Sequence, residues 1–196
     1  MPTMYRLDTP AANQNNPYRP RGTMRMPGNV PFIVDNLWEW SRPPHMPSRR
    51  LSVYASPTPE LALELSGAAN GQIFTVHPVG AKIVQIPWRD AKFCPEADSS
   101  SPAFLGRIIA KMFNQQWIDA PMNNKLPEAL LWAPCLTKDE VQEIMVGSQY
   151  LAHRIDEIRN NIRFWKNAAL QYLNRNWTFR EGEIFFKARS WTLNPL

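Results

Sequence analysis

The sequence predicts an α+β fold, on three observations. Short strand-like segments occupy its first half, a helical block fills its middle, and an apolar strand-like run, Ile184-Phe185-Phe186, returns near its end. Runs of strands and helices kept apart along the chain indicate α+β, where strict alternation would indicate a parallel α/β sheet. The chain has 196 residues, 44% apolar and 20% charged, the balance of a folded globular protein. It reads as a single domain over residues 1–196, with a helical insertion at about 99–176.

Thr3–Leu7 reads as the first strand. Proline, 19 residues in all, concentrates before residue 60, so Thr9–Pro31 and Ser41–Pro47 read as extended loops, because proline removes amide donors and disfavours helix before it. Phe32–Trp40 between them is apolar enough to pack as a short element, with Trp38 and Trp40 as core or pocket wall rather than a ligand stack. Arg50–Ala55 alternates Leu51, Val53 and Ala55 with Arg50, Ser52 and Tyr54, the period of a half-buried strand. Thr58-Pro59-Glu60 opens a short helix with a cap, a proline and an acid in order. Leu61, Ala62 and Leu65 are its buried side, and Gly67 ends it.

Ile73–Val76 and Lys82–Ile86 read as a pair of strands around Pro78-Val79-Gly80-Ala81, a turn or a bend between them. Ala103–Trp117 carries Phe104, Ile108, Ile109, Met112 and Phe113 at helical spacing. Thr137-Lys138-Asp139-Glu140 matches a capping box. The amphipathic run after it, from Val141 through Ile144, Leu151, Ile158 and Trp165 to Leu173, predicts one long helix with a bend at Gly147-Ser148. Thr178–Ala188 reads as a strand, with Trp191-Thr192-Leu193 after it.

Composition excludes several classes. No apolar window approaches the eighteen residues or so of a membrane-spanning helix, and Met1–Pro20 has no secretory apolar core. The expected compartment is cytoplasmic, in the producing cell or in a target cell to which the protein is delivered without a Sec signal. Cys94 and Cys135 share no ligand spacing with His45, His77 or His153, so no metal site is expected, and both cysteines are expected as buried thiols. The formal charge is +5. Residues 151–196 hold eight cationic against four acidic side chains. Arg154, Arg159, Arg163 and Lys166 are either the solvated side of a helix or a face for a polyanion.

Three segments combine chemical residues with strand ends: Tyr5-Arg6-Leu7-Asp8, Tyr54-Ala55-Ser56-Pro57-Thr58, and Arg180-Glu181-Gly182-Glu183-Ile184-Phe185-Phe186. Residues i and i+2 of a strand share a face, which would set Glu181 and Glu183 together at a strand's start. Gly182 between them would let a ligand approach the backbone. Adjacent carboxylates repel, so the pair points to a ligand that uses both. The plainer alternatives are a solvated Arg6, a helix cap at Ser56–Thr58, and gatekeeper carboxylates beside an aggregation-prone strand.

Taken in order, these segments resemble the Arg–Ser–Glu class of mono-ADP-ribosyltransferases, the group of cholera toxin, pertussis toxin and phage-encoded transferases. YRLDTP resembles the opening arginine strand of that class. YASPT resembles its aromatic–hydrophobic–Ser–Thr–Ser motif, with Pro57 and Thr58 as departures, and EGEIFFKARSW resembles its E-x-E strand. GQIFTVHPVGAKIVQI between them resembles its central strands. The resemblance covers about residues 3–10, 50–90 and 178–192. It implies a split β-sandwich with a helical insertion and NAD as co-substrate, with no metal. It implies Glu183 as catalytic carboxylate, Ser56 as the hydroxyl orienting it, and Arg6 as a nucleotide-binding residue, with Thr58 beside Ser56. Glu181 would position the acceptor, arginine on a protein, while RNA or DNA is the alternative acceptor. An antitoxin or immunity protein would be the partner of a toxin of this class; no membrane is implied.

RLSVYASPTPELALEL also resembles the RES-domain NAD-degrading toxins, which would pair Arg49 or Arg50 with Glu64 and use Ser190. A non-enzymatic nucleic-acid-binding protein is the third reading, on the basic segment alone. Ser148–Arg154 (SQYLAHR) echoes the pertussis toxin catalytic strand, but it falls inside a helical period and has Gln149 where that strand has glutamate.

Overall fold

The computed structural model describes residues 2–9, 14–18, 23–66, 71–95, 98–113, 119, 121 and 128–196. In chain order its main elements are β1 (Met4–Asp8), α1 (Phe32–Ser41), β2 (Val53–Ala55), α2 (Pro59–Ser66), β3 (Gln72–Pro78), β4 (Lys82–Gln85), α3 (Pro102–Met112), α4 (Lys138–Gly147), α5 (Ile155–Asn161), α6 (Phe164–Asn167), β5 (Ala169–Gln171), β6 (Ile184–Lys187) and β7 (Trp191–Pro195). The fold is mixed, with antiparallel sheets and separate helices, as α+β requires. Two compact units are formed. One comprises Met1–Arg25, Pro44–Phe93 and Asn167–Leu196, the other Met26–Pro43 and Cys94–Lys166. Among the described residues no helix is long and apolar enough to cross a membrane.

The first unit holds both sheets, ordered β1-β3-β7 and β2-β6-β4-β5. Met4, Val76 and Trp191 from the first sheet and Val53, Ala55, Ile83, Ile184 and Phe186 from the second form one buried cluster. Alternation sends these residues to the shared interior and Tyr54 and Phe185 to the other face of their sheet. An antiparallel bridge, Tyr5 to Ser56, ties the two sheets at one edge, with both N···O distances 2.8 Å.

β3 and β4 do not form the expected pair with each other, and Pro78–Ala81 is the bend rather than the turn. β3 pairs with β1 and β7, and β4 with β5 and β6. The segment Pro78–Ala81 instead carries the chain from one sheet to the other, with Gly80 at φ +59°, a value glycine adopts without the Cβ penalty. β6 is shorter than Thr178–Ala188, and Arg50–Ala55 is a 3₁₀ turn (Arg49–Leu51) followed by a three-residue strand. Thr58 caps α2 as its sequence indicates, its Oγ1 accepting from the Leu61 amide at 3.3 Å. Gly67 lies outside the described residues.

In the second unit, Trp38 and Trp40 of α1 are buried, and Trp38 stacks on Phe164 at 4.2 Å between centroids. Asn36, fully buried, donates to the carbonyls of Leu131 and Ala133 and accepts from the Leu136 amide, so one side chain shapes that loop. Ser101 caps α3, and Thr137 and Glu140 form the expected capping box on α4. Residues 114–118, with Trp117, lie outside the described residues.

The long helix expected after Val141 is interrupted at Gly147-Ser148, where the bend was expected, and broken again at Ile162. Ser148 is extended and its hydroxyl accepts from the amides of Tyr150 and Leu151; Ile162 is extended again. Ala169–Gln171 is not helical at all but the edge strand β5 on β4. Val141, Ile144, Leu151, Ile158 and Trp165 are buried as their spacing requires, so the apolar pattern is right and its continuity wrong. Arg154, Arg159, Arg163 and Lys166 consequently share no single helix. Arg159 donates to Gln142 and lies 4.4 Å from the Trp40 ring centroid. Cys94 is buried as expected, but Cys135 is only partly so.

Candidate functional site

β1 carries Arg6 to its position by period. Met4, Arg6 and Asp8 share one face; Met4 enters the core, and Arg6 and Asp8 continue that face into a cleft. Arg6 Nε donates to Asp8 Oδ2 at 2.7 Å and Nη1 to the Tyr54 carbonyl at 2.9 Å. The cleft has a volume of about 370 Å³, and Tyr18, Arg25, Tyr54 and Trp191 also line it. Asp8 was legible as Arg6's partner from its i+2 position. The cleft's other walls come from remote segments that no local pattern links.

Ser56 follows β2 and is buried. The β2–β6 ladder ends at Ala55 opposite Ile184. Ser56 directly follows the ladder and bridges Tyr5, Glu183 directly precedes it and pairs with Trp88 and Ile86, and neither is among the residues lining the cleft. The Ser56 hydroxyl makes no hydrogen bond to Glu183, whose carboxylate has other partners among the described residues. Glu183 Oε1 accepts from Arg49 Nη2 at 3.1 Å, and Oε2 from the Ala91 amide at 3.1 Å. Both side chains of the Arg49–Glu183 pair are 7% exposed. Arg49 stands on the 3₁₀ turn before β2, on the outer face of the sheet, 5.5 and 5.7 Å from the ring centroids of Tyr54 and Phe185. Burial holds the Glu183 carboxyl above its usual range, against the opposing pull of Arg49 and the Ala91 amide; Asp90 adds to the rise.

Glu181 and Glu183 do not stand together, because the strand begins only at Ile184. The segment before it is shaped by backbone contacts. Glu183 N–H donates to the Trp88 carbonyl, and its carbonyl accepts from the Ile86 amide. The buried Gln85 side chain donates to the carbonyls of Phe179 and Gly182 and accepts from the Phe179 amide. Gly182 lies so close to Ile86 that a Cβ would collide with its carbonyl oxygen. The glycine therefore admits the protein's own backbone, where the sequence pattern suggested a ligand. The turn sends Glu183 inward and Glu181 outward.

Glu181 is exposed and accepts from Arg89 Nε at 2.9 Å, and Arg89 Nη1 also contacts Glu64 at 3.1 Å. Glu64 thus meets Arg89 and not Arg49 or Arg50, so the arginine–glutamate pairing of the RES resemblance is not assembled. Ser190 bridges Asn15, and its carbonyl accepts from the Val79 amide. Thr58 is occupied in capping α2. The residue that sequence reasoning missed beside Glu183 is Arg49. Its signal, a charged residue just before an apolar strand, was read only in connection with Glu64.

No family model matches the chain, and no curated protein or solved structure matches it. The site is therefore read from its own chemistry.

Proposed function

We propose that the chain is an NAD-consuming mono-ADP-ribosyltransferase that breaks the nicotinamide–ribose bond and passes ADP-ribose to arginine on a protein. One observation carries the reading: the arginine strand and the serine segment, remote in sequence, meet at one edge of the first unit. Tyr5 bridges Ser56 and Arg6 bonds the Tyr54 carbonyl, while Glu183 directly precedes the strand that pairs with β2.

The residues fit such a substrate. Arg6 and Arg25 supply planar donors for phosphate oxygens, and Tyr18 and Tyr54 supply ring surface. Cleaving the glycosidic bond develops oxocarbenium character. A carboxylate at the ribose hydroxyl stabilises that charge more than it stabilises the ground state, and Glu183 takes this role. Both its oxygens are engaged at rest, so a hydroxyl reaches it by replacing Arg49 or the Ala91 amide. The Ser56 hydroxyl orients the carboxylate once that exchange occurs. Glu181 receives the acceptor: it already holds one guanidinium, Arg89, and an incoming arginine makes the same contacts in its place.

The test is incubation of the protein with labelled NAD and cell lysate, split into protein and nucleic-acid fractions. Label on protein, absent with Glu183→Gln, is the expected result. Label in the nucleic-acid fraction would replace the acceptor. NAD untouched by the wild-type protein would refute the reading, and activity abolished by Glu64→Gln but kept in Glu183→Gln would transfer it to the RES chemistry.

A further inference from the structure

Arg6 and Arg25 both line the cleft, but their electrostatic circumstances differ. Arg6 is neutralised by Asp8. Arg25 has no acidic partner among the described residues and is held by other means. Its amide donates to the Arg50 carbonyl at 2.9 Å. Its guanidinium carbon lies 3.8 Å from the centroid of the Tyr54 ring, a cation–π distance. Tyr54 is itself fixed, because its hydroxyl donates to the Arg49 carbonyl and its ring packs against the fully buried Phe185. The result is an uncompensated, exposed guanidinium on a rigid platform, so little side-chain entropy remains to be lost on binding an anion.

We propose that this cleft binds a nucleoside diphosphate group and that Arg25 is the residue that recognises its phosphates. The ligand class rests on the transferase reading, since the ADP half of NAD is such a group; the choice of Arg25 rests on the cleft. Arg6, with Nε and Nη1 engaged, is the secondary contact through Nη2. The Tyr18 ring gives a base or ribose apolar surface that inorganic phosphate could not use.

The experiment is calorimetric titration of the full chain with ADP, with inorganic pyrophosphate and adenosine as partial probes. Arg25→Ala, Arg25→Lys and, as an exposed arginine outside the cleft, Arg180→Ala are titrated alongside. Circular dichroism confirms that each variant is folded. ADP is expected to bind more tightly than either partial probe, and more weakly as salt is raised. Arg25→Ala is expected to raise the Kd at least about tenfold, the loss of one charge-assisted hydrogen bond. Arg25→Lys recovers only part, because lysine lacks the planar stacked fork, and Arg180→Ala matches wild type. No ADP binding at millimolar concentration, or equal affinity in Arg25→Ala, would overturn the assignment. NAD consumption separates the two readings. Arg25-dependent ADP binding without NAD cleavage leaves the cleft assignment standing and removes the transferase. NAD cleavage by Arg25→Ala at the wild-type KM does the reverse.

Discussion

Replacing Glu183 with glutamine tests the balance at the centre of the site. The substitution keeps the shape of the side chain and one acceptor oxygen while removing the charge. In the folded protein, burial raises the pKa of Glu183 above its ordinary 4.5, and Arg49 and the Ala91 amide offset only part of that rise. Between the ordinary value and the raised one, the folded chain therefore holds a proton that the unfolded chain has lost. The unfolded state binds fewer protons in that window, so stability falls as pH rises. One proton gives at most about 1.4 kcal/mol per pH unit. At 7% exposure water does little to screen the effect.

Glutamine mimics the protonated form at every pH. Glu183→Gln should match wild type at about pH 4 and gain on it as pH rises between the ordinary carboxyl value and the raised one, then hold that lead. Urea unfolding followed by circular dichroism, at several pH values and with an unchanged m-value, measures the gap. Arg49→Met removes the largest opposing influence and should move the falling limb of the pH profile to higher pH. A wild type that gains stability over Glu183→Gln as pH rises would refute the reasoning, because the ionised pair would then stabilise the fold. A folded Glu183→Gln that is more stable and inactive toward NAD is what a carboxylate kept for chemistry rather than stability predicts.

Three further outcomes follow from the same region and its neighbour. Gly182→Ala drives a methyl group into the Ile86 carbonyl and should cost about 1–3 kcal/mol by overpacking, read as a lower denaturant midpoint. Gln85→Leu removes three hydrogen bonds to Phe179 and Gly182 and should cost about 2–4 kcal/mol at roughly 1 kcal/mol each; a loss below about 0.5 kcal/mol would show that Gln85 does not hold the turn before β6. Burial, with Asp98 nearby, pushes the Cys94 thiol up to about 12, so iodoacetamide at pH 8 should label Cys135 and spare Cys94 in a mass-spectrometric time course.

The sequence by itself determined the local elements whose causes are local. The cap at Thr58, the capping box of Thr137 and Glu140, the strand character of Met4–Asp8 and the burial of Ile144, Ile158 and Trp165 all follow from neighbours within a few residues. The α+β class followed from the order of those elements. Tertiary structure alone decided which strands pair. β3 and β4 are adjacent in sequence yet belong to different sheets, and Ala169–Gln171 leaves a helical pattern because the edge of β4 offers its backbone partners. It also decided the site. Glu181 and Glu183, two residues apart, diverge because Gly182 is pressed against Ile86, and Glu183 finds Arg49 at a separation of 134 residues. Periodicity reports which face of an element is apolar. It carries no information on the partner that face or carboxylate will meet, since that depends on the free energy of the whole packed unit.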